Sequence, residues 1–308
     1  MDRRRGVSLT LGNALLTRPV RRRLVRRARL ASARAKPRAP QELDLLVALN
    51  FIINPFDTEL SLAQSNYCRP DGTHLLKSAN KRPSRLTEFV HHGLRSLVLD
   101  EHFTCVAAKA ALRQGGYRFG LYGELGSPAA TAGLARDLFT FIAERETFDS
   151  TFVTFVASFA GPPPPDEAAF EHDLWATLQQ LHALDAPLHH WDGTVSADAD
   201  DPHFSFSFAE TALFVVGLHA ASSRASRRFA WPTLVFNPHD QFVRLRSAGR
   251  YERFQHVIRE ADRALDGGIN PMLSDFGERS EARQYSGRNV DEAWRCPFHA
   301  ELKRGQDK

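Results

Sequence analysis

The chain has 308 residues, of which 43% are hydrophobic and 25% charged, as in an ordinary globular protein with a sizeable core. The net charge of +4 is unevenly distributed along the chain. Residues 1–40 hold 13 of the 40 Arg and Lys residues and one acidic residue, so residues 41–308 carry a net negative charge. A nucleic-acid partner is therefore not expected for the folded part. No apolar run approaches the ~20 residues that a membrane helix needs, so no membrane partner is expected.

The three cysteines include no CxxC pair, so no disulfide framework or zinc site of known spacing follows. Such thiols are most simply reduced, which favours a cytoplasmic protein.

The first 40 residues are predicted to be a disordered, Arg-rich tail. They contain no aromatic residue, and their composition cannot bury enough apolar surface to order itself. An organelle transit peptide, also Arg-rich and poor in acids, is the alternative. Residues 41–300 are predicted to form one domain, followed by a short tail at 301–308.

Apolar residues that recur at spacings of three and four predict helices along this domain. A first helix is expected to end before Asn54-Pro55, and residues 61–85 to form a loop. Ser127 and Pro128 are expected to start one helix, and Gly115 to end another. After the first helix, helices are predicted over 86–102, 106–114 (the one that Gly115 ends), 130–148 (the one that Ser127 and Pro128 start), 166–185 and 249–265.

β-branched and aromatic residues predict strands between these helices. The segments are 117–125, 151–159, 204–208 and the two apolar runs 212–218 and 232–236. Helices and strands in this order predict an α+β fold: a single domain with a mixed or antiparallel sheet flanked by helices.

Each of the last two apolar runs ends in a histidine, His219 after FVVGL and His239 after LVFNP. Neutral imidazoles at strand ends are suitable ligands for a transition metal or haem iron. Neighbouring arginines could hold carboxylates. The alternative is that both histidines are satisfied core or turn residues and the arginines form a solvated face.

Cys105 precedes a helix rich in small residues, which would let another group approach closely. A thiol at a helix N-terminus is expected to have a lowered pKa, which makes Cys105 a candidate nucleophile or thiolate ligand. The alternative is a buried, inert cysteine.

Six stretches of the chain form a recognisable set: CVAAKAAL, TFVTFVASF, FEHDLWATLQQLH, the run from FVVGLHAASSRASRRF to FNPHDQF, NPMLSDFGERSEARQYSGR and WRCPF. Together they resemble the YqcI/YcgG family, bacterial proteins that include haem-dependent N-oxygenases. The resemblance covers roughly residues 85–300, and it departs from the family pattern at Thr104 and Ala220, where that pattern has proline.

The resemblance implies a monooxygenase that uses haem b to hydroxylate the guanidino or amino nitrogen of an amino acid such as arginine. Its partners would be a small cationic amino-acid substrate, dioxygen or peroxide, and a separate electron donor, because the chain has no flavin or nicotinamide motif. The alternatives are a haem-binding or haem-sensing protein without turnover, and a non-haem metal enzyme that uses the same histidines.

The resemblance also suggests roles for particular residues. His219 is the first candidate for the axial ligand, followed by His239 and then Cys105. The propionates would bind Arg224, Arg227 and Arg228. On the substrate side, the cationic nitrogen would bind a carboxylate, with Glu171, Asp173, Asp240 and Glu281 as candidates. Arg288 would bind the α-carboxylate of the substrate. Asn237 and Gln241 would hydrogen-bond dioxygen or substrate, and Tyr285 is a further polar candidate.

Overall fold

The computed structural model describes residues 53–249, 251–268 and 270–302. The predicted tail at 1–40, the domain start at 41, most of the predicted first helix and residues 303–308 lie outside these ranges.

The described residues form eight α-helices and seven strands, in two sheets. The helices are α1 (Glu59–Gln64), α2 (Arg85–Leu99), α3 (Val106–Gln114), α4 (Pro128–Glu144), α5 (Glu167–Asp185), α6 (Asp240–Ser247), α7 (Tyr251–Asp266) and α8 (Ala282–Tyr285). The strands are β1 (Arg69–Asp71), β2 (His74–Leu76), β3 (Tyr117–Tyr122), β4 (Thr154–Phe159), β5 (Phe206–Phe208), β6 (Thr211–Leu218) and β7 (Thr233–Pro238).

The larger sheet has the strand order β3-β4-β7-β6-β5. Strands β3 and β4 are parallel, and the other neighbouring pairs are antiparallel. The α+β fold with a mixed sheet and flanking helices is confirmed. Within the described ranges, no helix combines the length and the apolar character needed to cross a membrane.

The predicted helix ends at two places are also confirmed. Ser127 caps α4 by accepting a hydrogen bond from the amide of Ala130 at 3.3 Å, and Pro128 is the first helical residue. Gly115 ends α3 in the left-handed region with φ of 69°, a conformation that glycine adopts without a side-chain clash.

Several segments differ from the sequence prediction, among them the short helices α1 and α8, which were not predicted. Residues 61–85 are not only a loop, because β1 and β2 pair there as an antiparallel hairpin around Gly72. Three-residue strands are too short to show an alternating pattern, so only the turn residues signalled them. Helix α6, which follows His239, was not predicted either; it has eight residues and few apolar ones.

The two faces of the larger sheet are covered by different helices. Along β6, Leu213 and Val215 point into the larger core, which includes residues of α4 and α5. Val216 and Leu218 point to the other face, where α2 and α3 pack. This period of two decides which side chains reach the cavity described next.

Candidate functional site

A cavity of about 290 Å³ lies on the face of the sheet that packs against α2 and α3. Its sheet side is apolar and is formed by residues such as Val156, Val216 and Val235. Helix α3 contributes small side chains, Ala107, Ala108 and Ala111, and α7 and the segment 270–276 supply polar ones. An apolar cavity with a few converging polar groups is typical of a small-molecule site, and ~300 Å³ is the lower end of the usual size range.

His239 lies on this cavity, where β7 ends and α6 begins. Its imidazole Nε2 is 3.3 Å from Oε1 of Glu281, and both side chains are buried. The other oxygen of Glu281 is 3.5 Å from the hydroxyl of Tyr285. A carboxylate beside a buried imidazole fixes the orientation of the ring and its tautomer, which is the usual arrangement around a metal-ligating histidine.

Two arginines from the segment between β6 and β7 reach the cavity with different partners. Arg224 forms ion pairs with Asp262 at 3.3 Å and Asp266 at 3.0 Å. Arg227 instead donates hydrogen bonds to backbone carbonyls, including those of Gly217 at 3.0 Å and Tyr285 at 3.3 Å.

Among the described residues, no carboxylate lies within ion-pair distance of Arg227. Burial lowers its pKa to about 10, with a further contribution from the charge of Arg224. Even at that pKa the guanidinium is protonated at neutral pH. Arg227 is therefore a cation on the cavity wall held by neutral partners, and an anionic ligand would complete its surroundings.

Asp275 is an acidic counterpart on the same cavity. Its carboxylate accepts hydrogen bonds from Gln255 and, at 3.4 Å, from the hydroxyl of Tyr251. No cationic side chain of the described residues is paired with it. Arg246, also on the cavity, lies over the ring of Tyr251 at 4.3 Å from its centroid. The cavity thus offers both a carboxylate and guanidinium groups.

Asn237 and Gln241 also line the cavity, and both make hydrogen bonds to the backbone. The amide nitrogen of Asn237 donates to the carbonyl of Phe214 at 3.2 Å. The side-chain oxygen of Gln241 accepts from the amide of Val153 at 3.0 Å. These bonds give both side chains a structural role, whatever they do for a ligand.

Cys105 lines the cavity as the N-cap residue of α3, and its sulfur is 3.5 Å from the amide nitrogen of Ala108. The expected lowering of its pKa is wrong. Burial raises the pKa of the Cys105 thiol, and hydrogen bonds from the amides of Ala108 and Ala107 offset only part of that effect. The group is a neutral thiol at neutral pH, so it is not an activated nucleophile.

His219 does not line the cavity, because it follows Leu218 of β6 and turns to the opposite face of the sheet. Its ring stacks on Phe170 of α5 with centroids 4.2 Å apart. Both ring nitrogens are buried without a hydrogen-bond partner in the described part of the chain. Burial lowers the pKa of His219, so the ring is neutral at pH 7. Its role as an iron ligand stays a prediction.

The remaining predicted site residues also lie away from the cavity. Glu171 and Arg288 form an ion pair with each other. Asp240 pairs with Arg145 at 3.0 Å and with Arg244 at 3.4 Å. Three further predicted residues have partners outside the cavity. Arg228 donates to the carbonyls of Ser222 and Ser223, and Asp173 is 3.0 Å from His172. The buried Tyr285 accepts from the amide of Phe206.

The structure therefore brings together Cys105, Arg224, Arg227, Asn237, His239, Gln241 and Glu281. The sequence analysis missed Arg246, Tyr251, Gln255 and Asp275 as cavity residues. Asp275 belongs to the segment NPMLSDFG, which was singled out in the sequence, and the small residues of α3 were noted as leaving space. Arg246 was noted only as one of the arginines that neighbour the two histidines, and no local pattern marked Tyr251 or Gln255, because they come from the charged helix α7.

Comparison with known protein families matches residues 94–299, about two thirds of the chain, to the YqcI/YcgG family. The protein belongs to this family. The matched segment includes His239, Glu281, Arg227 and Asp275. The search of curated proteins and the search of solved structures return no match.

Proposed function

We propose that this chain is a haem-dependent N-oxygenase that hydroxylates the guanidino or amino nitrogen of a cationic amino acid such as arginine. The observation that carries the proposal is the buried His239–Glu281 pair on the wall of an apolar cavity. Membership of the YqcI/YcgG family supports the proposal, because the resemblance described above implies haem-dependent N-oxygenase chemistry.

The side chains that line the cavity are of the chemical types that bind haem. His239 would hold the haem iron through its imidazole, which Glu281 orients, and it takes precedence over His219 because it lies on the cavity. Arg227 and Arg246, which have no carboxylate partner among the described residues, would bind the propionates. A bound haem would supply the activation of dioxygen or peroxide that hydroxylation needs.

The substrate side follows from the charges that remain. Asp275 would bind the guanidinium or ammonium group of the substrate and take up the proton that the nitrogen must lose. The overall reaction converts R–NH2, dioxygen, two electrons and two protons into R–NHOH and water. The two electrons come from a separate donor protein, and hydrogen peroxide would replace dioxygen, electrons and protons together.

A non-haem metal enzyme at the same cavity is less well supported. Such a site takes three or more protein ligands, whereas a haem takes one or two. Of the residues that the structure describes, only His74, Glu88 and His92 bring three potential ligand atoms within 4.8 Å of one another, and they do not line the cavity.

The test is the absorption spectrum of protein produced with a haem precursor. We expect a Soret band in the wild type, loss of haem in His239→Ala and retention in His219→Ala, because only His239 lies on the cavity. Far-ultraviolet circular dichroism checks that both variants fold. A wild type without a Soret band would remove the haem proposal, and loss only in His219→Ala would transfer the ligand role to that residue.

Turnover is tested with the haem-loaded protein, arginine or lysine, and hydrogen peroxide or a reductase with dioxygen. Formation of the N-hydroxylated product, detected by mass spectrometry, is expected in the wild type and reduced at least about tenfold in Asp275→Asn, which cannot accept the proton. Asp198→Asn, in the polar loop after α5, serves as the control. Haem without product would leave a haem-binding or haem-sensing protein.

A further inference from the structure

A second group of potential ligands lies where the β1–β2 hairpin meets α2. His74 is on β2, and Glu88 and His92 are four residues apart on α2, so their side chains lie on one face of the helix. Glu88 Oε2 is 3.9 Å from Nδ1 of His74 and 3.7 Å from Nε2 of His92. All three ligand atoms lie within 4.8 Å of one another.

The two oxygens of Glu88 have different surroundings. Oε1 accepts a hydrogen bond from the amide of Leu75 at 3.2 Å and is 3.5 Å from Nη1 of Arg82. Oε2, which faces the two imidazoles, is buried and has no hydrogen-bond partner in the described part of the chain. A buried carboxylate oxygen without a partner is costly, and such a group calls for an explanation such as a bound ion.

We propose that His74, Glu88 and His92 bind a divalent transition metal, with Zn²⁺ as the best match. Two imidazoles and one carboxylate are typical zinc ligands, with bonds of about 2.0–2.2 Å. Tetrahedral bonds of that length place ligand atoms roughly 3.4 Å apart. The two Glu88 distances of 3.7 and 3.9 Å need to shorten by a few tenths of an ångström, and the separation of the two imidazole ligand atoms, at most 4.8 Å, by up to about 1.4 Å. Water completes the coordination.

One existing contact must give way when the metal binds. His92 Nε2 is 3.1 Å from the carbonyl oxygen of Thr73, and a ring nitrogen that binds a metal carries no proton to donate. His92 would lose this hydrogen bond and gain a stronger metal bond in its place. The three ligands would then link the hairpin, through His74, to α2.

This site is separate from the proposed function. It precedes residue 94, where the match to the family begins, and none of its three residues lines the cavity. Failure of the metal proposal would therefore leave the haem proposal untouched, and the reverse also holds.

The test is a titration of the full chain, free of any polyhistidine tag and stripped of metal, with Zn²⁺ by calorimetry and with Co²⁺ by visible absorption. We expect one equivalent to bind, a tetrahedral Co²⁺ spectrum and a rise in the thermal midpoint with Zn²⁺. His74→Ala and His92→Gln should each weaken binding by more than about 100-fold, because a ligand is lost.

His102→Ala is the matched control. His102 is an exposed histidine just beyond α2, 3.4 Å from Glu101, and it is not part of the group. This variant and His239→Ala should bind Zn²⁺ as the wild type does. Wild-type protein that binds no Zn²⁺, or equal binding by the His74→Ala/His92→Gln double variant and the wild type, would overturn the proposal.

Discussion

At the scale of single residues, three of the four buried imidazoles in the described part of the chain differ in their partners. His239 has the carboxylate of Glu281, and His91 Nε2 lies 2.7 Å from the hydroxyl of Tyr117. His219 has no hydrogen-bond partner in the described residues and is held by stacking on Phe170. The imidazole beside a carboxylate is the one equipped to act as a ligand, because its ring is oriented.

His91 should make stability depend on pH in the acid range. Burial lowers its pKa to about 3, with smaller contributions from Arg95, His92 and His74. The unfolded state, with a pKa near 6.5, therefore binds the proton more readily, and stability falls as the pH drops below about 6.5.

The measurement is urea unfolding of wild type and His91→Phe between pH 5 and 8. Below pH 6.5 the wild type should lose up to about 1.4 kcal/mol per pH unit more than His91→Phe. Parallel stability curves for the two proteins would show that His91 is not neutral in the folded state.

At the scale of elements, β6 depends on a residue without a side chain. A Cβ atom added at Gly217 would lie 2.5 Å from Cε1 of Phe170 and 2.9 Å from the carbonyl oxygen of Tyr285. The strand therefore lets α5 and α8 approach the sheet closely, opposite the face that bears the cavity.

Gly217→Ala should destabilise the fold by about 1–3 kcal/mol, because the ring and a backbone carbonyl must both shift. Gly193→Ala is the control, since no atom lies within 4 Å of the added Cβ there. Chemical unfolding of both variants measures the difference, and equal stability would show that α5 can move away at little cost.

The sequence was sufficient to predict the elements with strong local signals. The capped start of α4, the glycine end of α3 and the apolar run of β6 depend on neighbouring residues only. The hairpin β1–β2 was missed because its strands have three residues each, and α6 because it has few apolar residues.

At the scale of the whole molecule, the site could be predicted only in part. The position of His219 and His239 after two apolar runs predicted a histidine at the end of each strand. It did not predict which face of the sheet each side chain would reach. The cavity face is defined by α3 on one side and by α7 with residues 270–276 on the other, and these two parts lie far apart in the sequence. Seven predicted residues meet at the cavity because their segments are brought together by this packing, which no local pattern encodes.

We expect deletion of residues 1–40 to leave the melting temperature and haem content unchanged, because the core and cavity residues that the structure describes form extensive contacts with one another. The net charge would change sign, since residues 41–308 hold 27 basic and 35 acidic residues. Thermal unfolding and ion-exchange elution measure the two effects. A large fall in melting temperature would show that the segment contributes to the fold.

The segment just before the β1–β2 hairpin covers part of one edge of the larger sheet against intermolecular pairing. Just before β1, Cys68 exchanges backbone hydrogen bonds with Phe119 on the outer side of β3, at 2.9 and 3.0 Å. An uncovered strand with the sequence YRFGLY would be a template for strands of other molecules. Loosening of the segment that precedes the hairpin would therefore first cause self-association that increases with protein concentration, while the rest of the fold is still intact.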